Sequence, residues 1–184
     1  MTFSIVAKCT KTGQLGMAVS SSSPAVAARC AHARAGVGVV ASQNITDPRL
    51  GPKTLLAMAE GHSAPEAVKM IINAAENADF RQVLAVDVTG NAATYSGKKS
   101  LDIHAEFASQ NAAAAGNLLA SSYIPKAMVT AFHEGAGHLG DRVIDSMRVA
   151  LALGGEAGAL RSAGLLLVGE QEWPMADLRC DWTE

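Results

Sequence analysis

Large rings are scarce in this chain: two Trp, two Tyr and four Phe amount to 4% of 184 residues. A core of that composition is not built on stacked aromatics. With Ala and Gly abundant, it must close through small side chains at short backbone spacing. Cysteine is sparse too. Cys9, Cys30 and Cys180 are odd in number, scattered, and without a C-x-x-C pair, which excludes a disulfide framework and fits reduced thiols in a cytoplasm. No basic run occurs and the formal net charge is −2, so nucleic acid is not the expected partner. No apolar stretch is long enough to cross a bilayer and no lipidation signal is present, so no membrane partner is expected either. The first residues lack a charged segment followed by a long apolar one, and do not form a signal peptide. Asn44-Ile45-Thr46 then matches the glycosylation sequon by chance. Repeats, linkers and low-complexity segments are also missing.

What is present is a hydrophobic fraction of 49% with 17% charged residues. That suits one soluble domain, 1–184, large enough to bury roughly 70% of its unfolded surface. Phe3 to Ala7 reads as a strand, Lys11 to Gln14 as a turn, and Leu15 to Ser20 as the second arm of a hairpin. Pro24 suits the start of a short helix over Ala25 to Ala33. Gly36 to Gln43 is an apolar run of strand length, followed by a polar loop from Asn44 to Pro52. Lys53 to Glu60 reads as a helix ended by Gly61. Ser63 and Glu66 then form a capping box for a helix with Val68, Ile71 and Ile72 on its apolar stripe. Gln82 to Val88 and Ala92 to Ser96 flank a hairpin turn, and His104 to Ser109 reads as another strand. Asn117 to His133 and Asp141 to Ala152 have helical spacing, with Pro125 bending or splitting the first. Ala163 to Gly169 and Asp177 to Trp182 close the chain as strands. Paired strands joined by hairpins favour antiparallel sheets. Two sheets between two helical layers would account for the small-residue core.

Chemistry concentrates at the start. Once Met1 is removed, Thr2 carries a hydroxyl and a free α-amine on adjacent carbons. The oxygen can attack a carbonyl while the amine takes the proton. A free α-amine titrates at about 7.7–8.0, close to working pH. With Met1 attached the amine is an amide and this chemistry is blocked. Other motifs reduce to structure. Gly36 to Ala41 fits the letters of G-x-G-x-x-A, but its glycines lie inside a strand, where close sheet packing explains them. His133-Glu134-Gly135-Ala136-Gly137-His138 is one residue too long for H-E-x-x-H. Its imidazoles would stand ~140° apart on a helix, and histidines at a helix C-terminus are the better reading. No metal and no cofactor is expected. Ser20 to Ser23 reads as capping and turn chemistry. Glu156 and Asp141 become acids of interest only where the fold brings them to a pocket.

Longer words in the sequence resemble a bacterial family, domain of unknown function 1028. They are M-T-F-S-I-V-A at the start, A-R-A-G-V-G-V-V-A-S-Q (Ala33 to Gln43), D-P-R-L-G-P (Asp47 to Pro52) and R-Q-V-L-A-V-D (Arg81 to Asp87). A-G-N-L-L-A (Ala115 to Ala120), G-G-E (Gly154 to Glu156), R-S-A-G-L-L-L-V (Arg161 to Val168) and D-L-R-C-D-W (Asp177 to Trp182) follow in order. The resemblance implies an α+β, four-layer αββα sandwich of Ntn-hydrolase type, similar to proteasome β subunits, with Thr2 as nucleophile. It places Ser42 and Gln43, at the end of the third strand, as oxyanion N–H donors, and Gln43, Arg49 and Asn117 as substrate contacts. Ser21 or Ser22 stands roughly where proteasome-like members keep an acidic residue that tunes the amine. The chain departs from the pattern in several places. No proteasome-type lysine is present, with Arg29 and Arg34 only loose substitutes. Ala115 replaces the usual Gln and Glu156 the usual Asp, and relatives run on beyond Trp182. The implied activity is hydrolysis of a small amide or ureide-like ligand; flat small-residue faces suit a homo-oligomer, and the unpaired cysteines suit a cytoplasm. The alternative is a non-catalytic binding or assembly module on the same fold.

Overall fold

The computed structural model describes residues 2–184, so the expected removal of Met1 lies outside the described residues. Strand β1 (Thr2–Lys8) and strand β2 (Leu15–Ser21) form the N-terminal hairpin. Helix α1 (Val26–Cys30) follows, then strands β3 (Ala31–Arg34) and β4 (Gly38–Asn44). Helices α2 (Leu50–Ala59) and α3 (Ala64–Asn73) lead to strands β5 (Arg81–Asp87), β6 (Ala92–Ser96), β7 (Ala105–Ser109) and β8 (Ala112–Asn117). Helices α4 (Ile124–Glu134) and α5 (Leu139–Ala152) precede the last strands, β9 (Ser162–Val168) and β10 (Ala176–Cys180).

The strands make two antiparallel sheets. One has six strands in the order β10-β9-β2-β1-β8-β7, and the other four in the order β3-β4-β5-β6. Period-two alternation decides which side chain enters which layer. Phe3, Ile5, Ala112, Ala114, Leu165 and Leu167 face Met128, Phe132 and Val143 of α4 and α5. Their neighbours Val6, Met17, Val19, Ala113 and Ala115 point the other way, onto Val39, Ala41, Leu84 and Val86 of the second sheet. Val40, Val83 and Ala85 close a third apolar layer against Leu55, Met58, Val68 and Ile72 of α2 and α3. Three apolar layers between four layers of structure make the αββα sandwich that the hairpin order implied.

Several local expectations are corrected. The first short helix ends at Cys30, and Ala31–Arg34 pairs with β4 as a strand. Helix α2 begins at Leu50, inside the expected loop, because Pro52 lies in its first turn, where a missing N–H is no loss. Asn117, expected to open a helix, is the last residue of the strand Ala112–Asn117, and α4 starts only at Ile124 with Pro125 in its first turn, so nothing bends. The helix propensity of four alanines is overridden there because β8 is buried throughout, hydrogen-bonded to β1 and β7 along its two edges and packed on its two faces against α4 and the second sheet. His133 does sit in the last turn of α4, whereas His138 caps the start of α5, its Nδ1 accepting from Gly140 N at 3.1 Å. The glycines of the G-x-G word have two uses. Gly36 turns with φ +69, and a Cβ on Gly38 would stand 2.6 Å from Met58 Cε and 2.8 Å from the Val86 carbonyl. Among the described residues no helix is long and apolar enough to cross a membrane.

Candidate functional site

Strand β1 is central in the six-stranded sheet, and Thr2 is its first residue. Its register partners are Ser21 on β2 and Asn117 on β8. All three side chains therefore lie in a row on the face turned toward the second sheet. Thr2 is 5% exposed, and Ser21 and Asn117 are fully buried. Thr2 Oγ1 donates to Ser21 Oγ at 3.2 Å. Ser21 Oγ lies 2.7 Å from Ser23 Oγ and accepts from Ser23 N at 3.1 Å. The Arg29 guanidinium in turn donates to Ser23 Oγ and to the Pro24 carbonyl. A cation thus reaches the Thr2 hydroxyl through two serines, a connection that sequence order alone could not supply.

Beneath this row runs a buried amide ladder. Ser4, on the same face of β1, donates to Gln43 Oε1 at 2.6 Å. Gln43 Nε2 donates to Gln82 Oε1 at 2.7 Å and to the Ala115 carbonyl at 3.2 Å. Gln82 Nε2 donates to Ser96 Oγ at 2.8 Å and to the Gly116 carbonyl at 3.1 Å. Asn117 Nδ2 closes the circuit on Gln82 Oε1 at 3.1 Å. Gln43, Gln82 and Ser96 are register neighbours across β4, β5 and β6. The ladder therefore ties one transverse row of the small sheet to the end of the large one.

Ser42 alternates to the opposite face of β4, where its Oγ donates to the Asp47 carbonyl at 3.0 Å. Neighbouring N–H groups along a strand point to opposite edges. Those of Ser42 and Gln43 therefore do the same: β5 pairs with both residues on one edge, while β3 reaches only as far as Ala41 on the other. Arg49 stands apart from the row. Its side chain is 68% exposed and grips Asp47 at 2.9 and 2.8 Å. That grip holds the Asp47 carboxyl down at about 2. Ser22 is half-buried beside Glu156.

Glu156, which spacing could not place, is 5% exposed and forms an antiparallel bridge with Leu119, two residues past Asn117. Burial pushes its carboxyl up, and the Ser22 hydroxyl and amide oppose that rise. Ser4, Gln82 and Ser23 were not among the expected site residues, and Glu156 was an acid of interest only on condition of its placement. The two-residue step from Thr2 to Ser4 along a strand was the available signal for Ser4; the others needed the fold. Among the described residues no three His, Cys, Asp or Glu side chains converge as metal ligands. An apolar cavity of about 490 Å³ opens on the other face of the large sheet, between α5, β9 and β10, with Phe3, Leu165 and Leu178 in its wall. A second, of about 450 Å³, lies between α3 and β6. Neither is lined by Thr2, Asn117 or Glu156.

Fold and site together define a double-sheet sandwich with a hydroxyl residue opening its central strand. The chain belongs to the family of unknown function DUF1028, whose model matches residues 2–184. It is similar to the crystal structure of protein SPO2555 from Silicibacter pomeroyi, of the same family. The TM-score is 0.91 at 28% identity, over 99% of this chain and 82% of that one. Anbu, the ancestral beta-subunit protein of Yersinia bercovieri, superposes with a TM-score of 0.45 at 10% identity, over 97% of this chain and 87% of that one. No curated protein sequence matches the chain.

Proposed function

We propose that the protein is an N-terminal-nucleophile amidohydrolase acting on a small amide or ureide-like metabolite once Met1 has been removed. The observation that carries this reading is the place of Thr2. It is the first residue of the central strand, nearly buried, with its hydroxyl already in a hydrogen bond to Ser21. In the processed chain Thr2 Oγ1 attacks the substrate carbonyl and its proton passes to the Thr2 amine. The oxyanion is met by an N–H at the end of β4, from whichever of Ser42 and Gln43 faces the open edge. The amine then returns the proton to the leaving nitrogen, and water releases the acyl group. Ser21, Ser22 and Asn117 flank the reacting carbon, and Arg49 serves at the rim. The hydroxyl relay to Arg29 supplies positive charge in place of a lysine.

Mass spectrometry of the N-terminus, together with turnover of an amide panel by wild type and Thr2→Ala, tests this. Turnover that needs Thr2 supports it, and equal turnover by both ends it. A second reading, a binding or assembly module, is favoured by one observation: both cavities lie away from Thr2. It predicts a retained Met1 and a ligand bound without hydrolysis.

A further inference from the structure

Two buried acceptor groups near the start of β1 are short of donors: Asn117 Oδ1 has none, and the Glu156 carboxylate has only the neighbouring Ser22 hydroxyl and amide, neither in hydrogen-bonding geometry. The orientation of Asn117 is not free. The Ala115 and Gly116 carbonyls can only accept, so the atoms facing them must be the amide nitrogens of Gln43 and Gln82. Gln82 then presents Oε1 to Asn117, which must answer with Nδ2. Its Oδ1 is thereby turned away from the ladder, on the face it shares with Thr2.

Glu156 is placed by its two flanks. Ala157 N donates to the Leu118 carbonyl at 2.8 Å and Ala120 N to the Gly155 carbonyl at 3.0 Å, which pairs the Gly155–Ala157 segment with the continuation of β8. On the other flank Glu156 lies beside Ser22, the continuation of β2. A Cβ on Gly155 would stand 3.6 Å from Phe3 Cε1. The segment therefore crosses the lane of β1 just ahead of Thr2, on the side toward which the Thr2 nitrogen points. The ion pairs among the described residues are Arg49–Asp47, Lys98–Asp79, Arg148–Asp145 and Arg179–Asp181, and none includes Glu156. Of the basic side chains on neighbouring segments, Arg29 is turned to Ser23 and Pro24, and Arg161 lies over the Trp182 ring. A buried carboxylate with no cationic side chain paired to it among the described residues is unfavourable, and one placed here suits a positive charge.

We propose that Glu156 and Asn117 form a cradle for the Thr2 α-ammonium of the processed chain, the carboxylate and Oδ1 accepting its hydrogens. They are positioning residues. The neutral amine takes the Thr2 hydroxyl proton, and the cradle holds the resulting ammonium beside the oxygen it has just freed. The carboxylate also sets the amine's proton affinity, raising it as a neighbouring negative charge must. This inference rests on the reading that Thr2 acts through a freed amine.

The test uses chain trimmed by methionine aminopeptidase and shown by intact mass to begin at Thr2. The pH dependence of α-amine carbamylation by cyanate reports the amine's titration, because an amine of pKa about 7.7–8.0 reacts ahead of lysines at about 10.4. Glu156→Gln is expected to weaken proton binding by the amine about tenfold or more, Glu156→Asp to restore most of it, and Asn117→Asp to strengthen it. An unchanged titration in Glu156→Gln overturns the cradle. Should that variant not fold, wild type decides: carbamylating the Thr2 amine removes its charge and must raise the Glu156 carboxyl, followed by carbon NMR, and an unmoved carboxyl overturns the proposal. No turnover is needed for either measurement. A failed amide panel therefore sinks the hydrolase reading alone, and a flat titration sinks the cradle alone.

Discussion

Thr2 and Asn117 stand opposite one another across β1 and β8, on the face turned toward the second sheet. One brings a hydroxyl at the head of a central strand. The other brings an amide whose orientation is dictated, through Gln82 and Gln43, by two backbone carbonyls. A rigid donor–acceptor frame therefore surrounds Thr2, the preorganisation that the proposed acyl transfer would require.

The nucleophile is the first thing to test. On any amide that the processed protein turns over, Thr2→Ser should retain measurable activity and Thr2→Ala should fall by about three orders of magnitude or more. The fold should survive both changes, since the lost Thr2–Ser21 hydrogen bond is worth only about 1 kcal/mol. The wild-type rate should rise with pH as the amine loses its proton, with a midpoint at or above about 7.7–8.0. Steady-state rates against pH, alongside far-UV circular dichroism, check both halves.

The ladder makes a stability prediction that does not depend on activity. Gln43→Leu removes the acceptor of Ser4 and a donor to both Gln82 and the Ala115 carbonyl, all fully buried or in the sheet interior. Orphaned buried polar groups cost ~1–3 kcal/mol each, so a loss of about 3 kcal/mol or more is expected. Ser4→Ala orphans only Gln43 Oε1 and should cost less. The double variant should cost less than the sum, because the two changes share one interaction. Urea midpoints at an unchanged slope measure all three.

Much of the architecture was legible in the residues, and the gaps have physical causes. Gly13, the Ser63/Glu66 pair and the Thr89-Gly90-Asn91 turn announce themselves because local chemistry determines local structure there. Glu66 Oε2 indeed accepts from both Ser63 N and Ser63 Oγ. Ala112–Asn117 carries no such local signal. Its run of alanines favours a helix alone and becomes a strand only because two faces must be packed at close range. The site divides in the same way. Thr2 is visible as a residue at a chain start, but Glu156 lies 154 positions away, and Gln82 reaches Asn117 across 35. Neither relationship exists before the sheets stack. Arg49 was legible as part of a motif, yet its motif partner Asp47 engages it at the surface.

Asp87 is the knot of the β5–β6 hairpin. Its Oδ1 accepts from Thr89 N, Thr89 Oγ1 and Asn91 N, and its Oδ2 from Asn91 Nδ2 and from Ala64 N at the start of α3. Burial alone would raise this carboxyl, but those donors together outweigh burial and leave it lowered. Asp87→Ala should therefore destabilise by about 3 kcal/mol, since hydrogen bonds to a charged acceptor are worth ~1.5–3 kcal/mol each and water replaces part of the loss. Amide exchange at Thr89, Asn91 and Ala64 should accelerate together. Exchange confined to the hairpin would show that the tie to α3 is idle.

Acid sensitivity follows from Asp47. The Arg49 guanidinium, first through its hydrogen bonds and then through its charge, holds that carboxyl at about 2, below the ~3.9 of an unfolded chain. A depressed folded-state value gives stability that is fully present above the unfolded value and is lost as pH falls through the folded one. The window for this pair is therefore roughly pH 4 down to 2. Arg49→Gln should move the Asp47 carboxyl back up toward ~3.9, flatten the stability profile across that window, and lower stability by a constant amount above about pH 5 without changing the slope there. Arg49 is largely exposed, so the effect should shrink in high salt. Carbon NMR of the Asp47 carboxyl in both proteins, at low and high ionic strength, measures the shift. An Asp47 titration that Arg49→Gln leaves in place would mean that the Arg49 backbone amide, which also donates to Oδ1 at 3.0 Å, holds the carboxylate by itself.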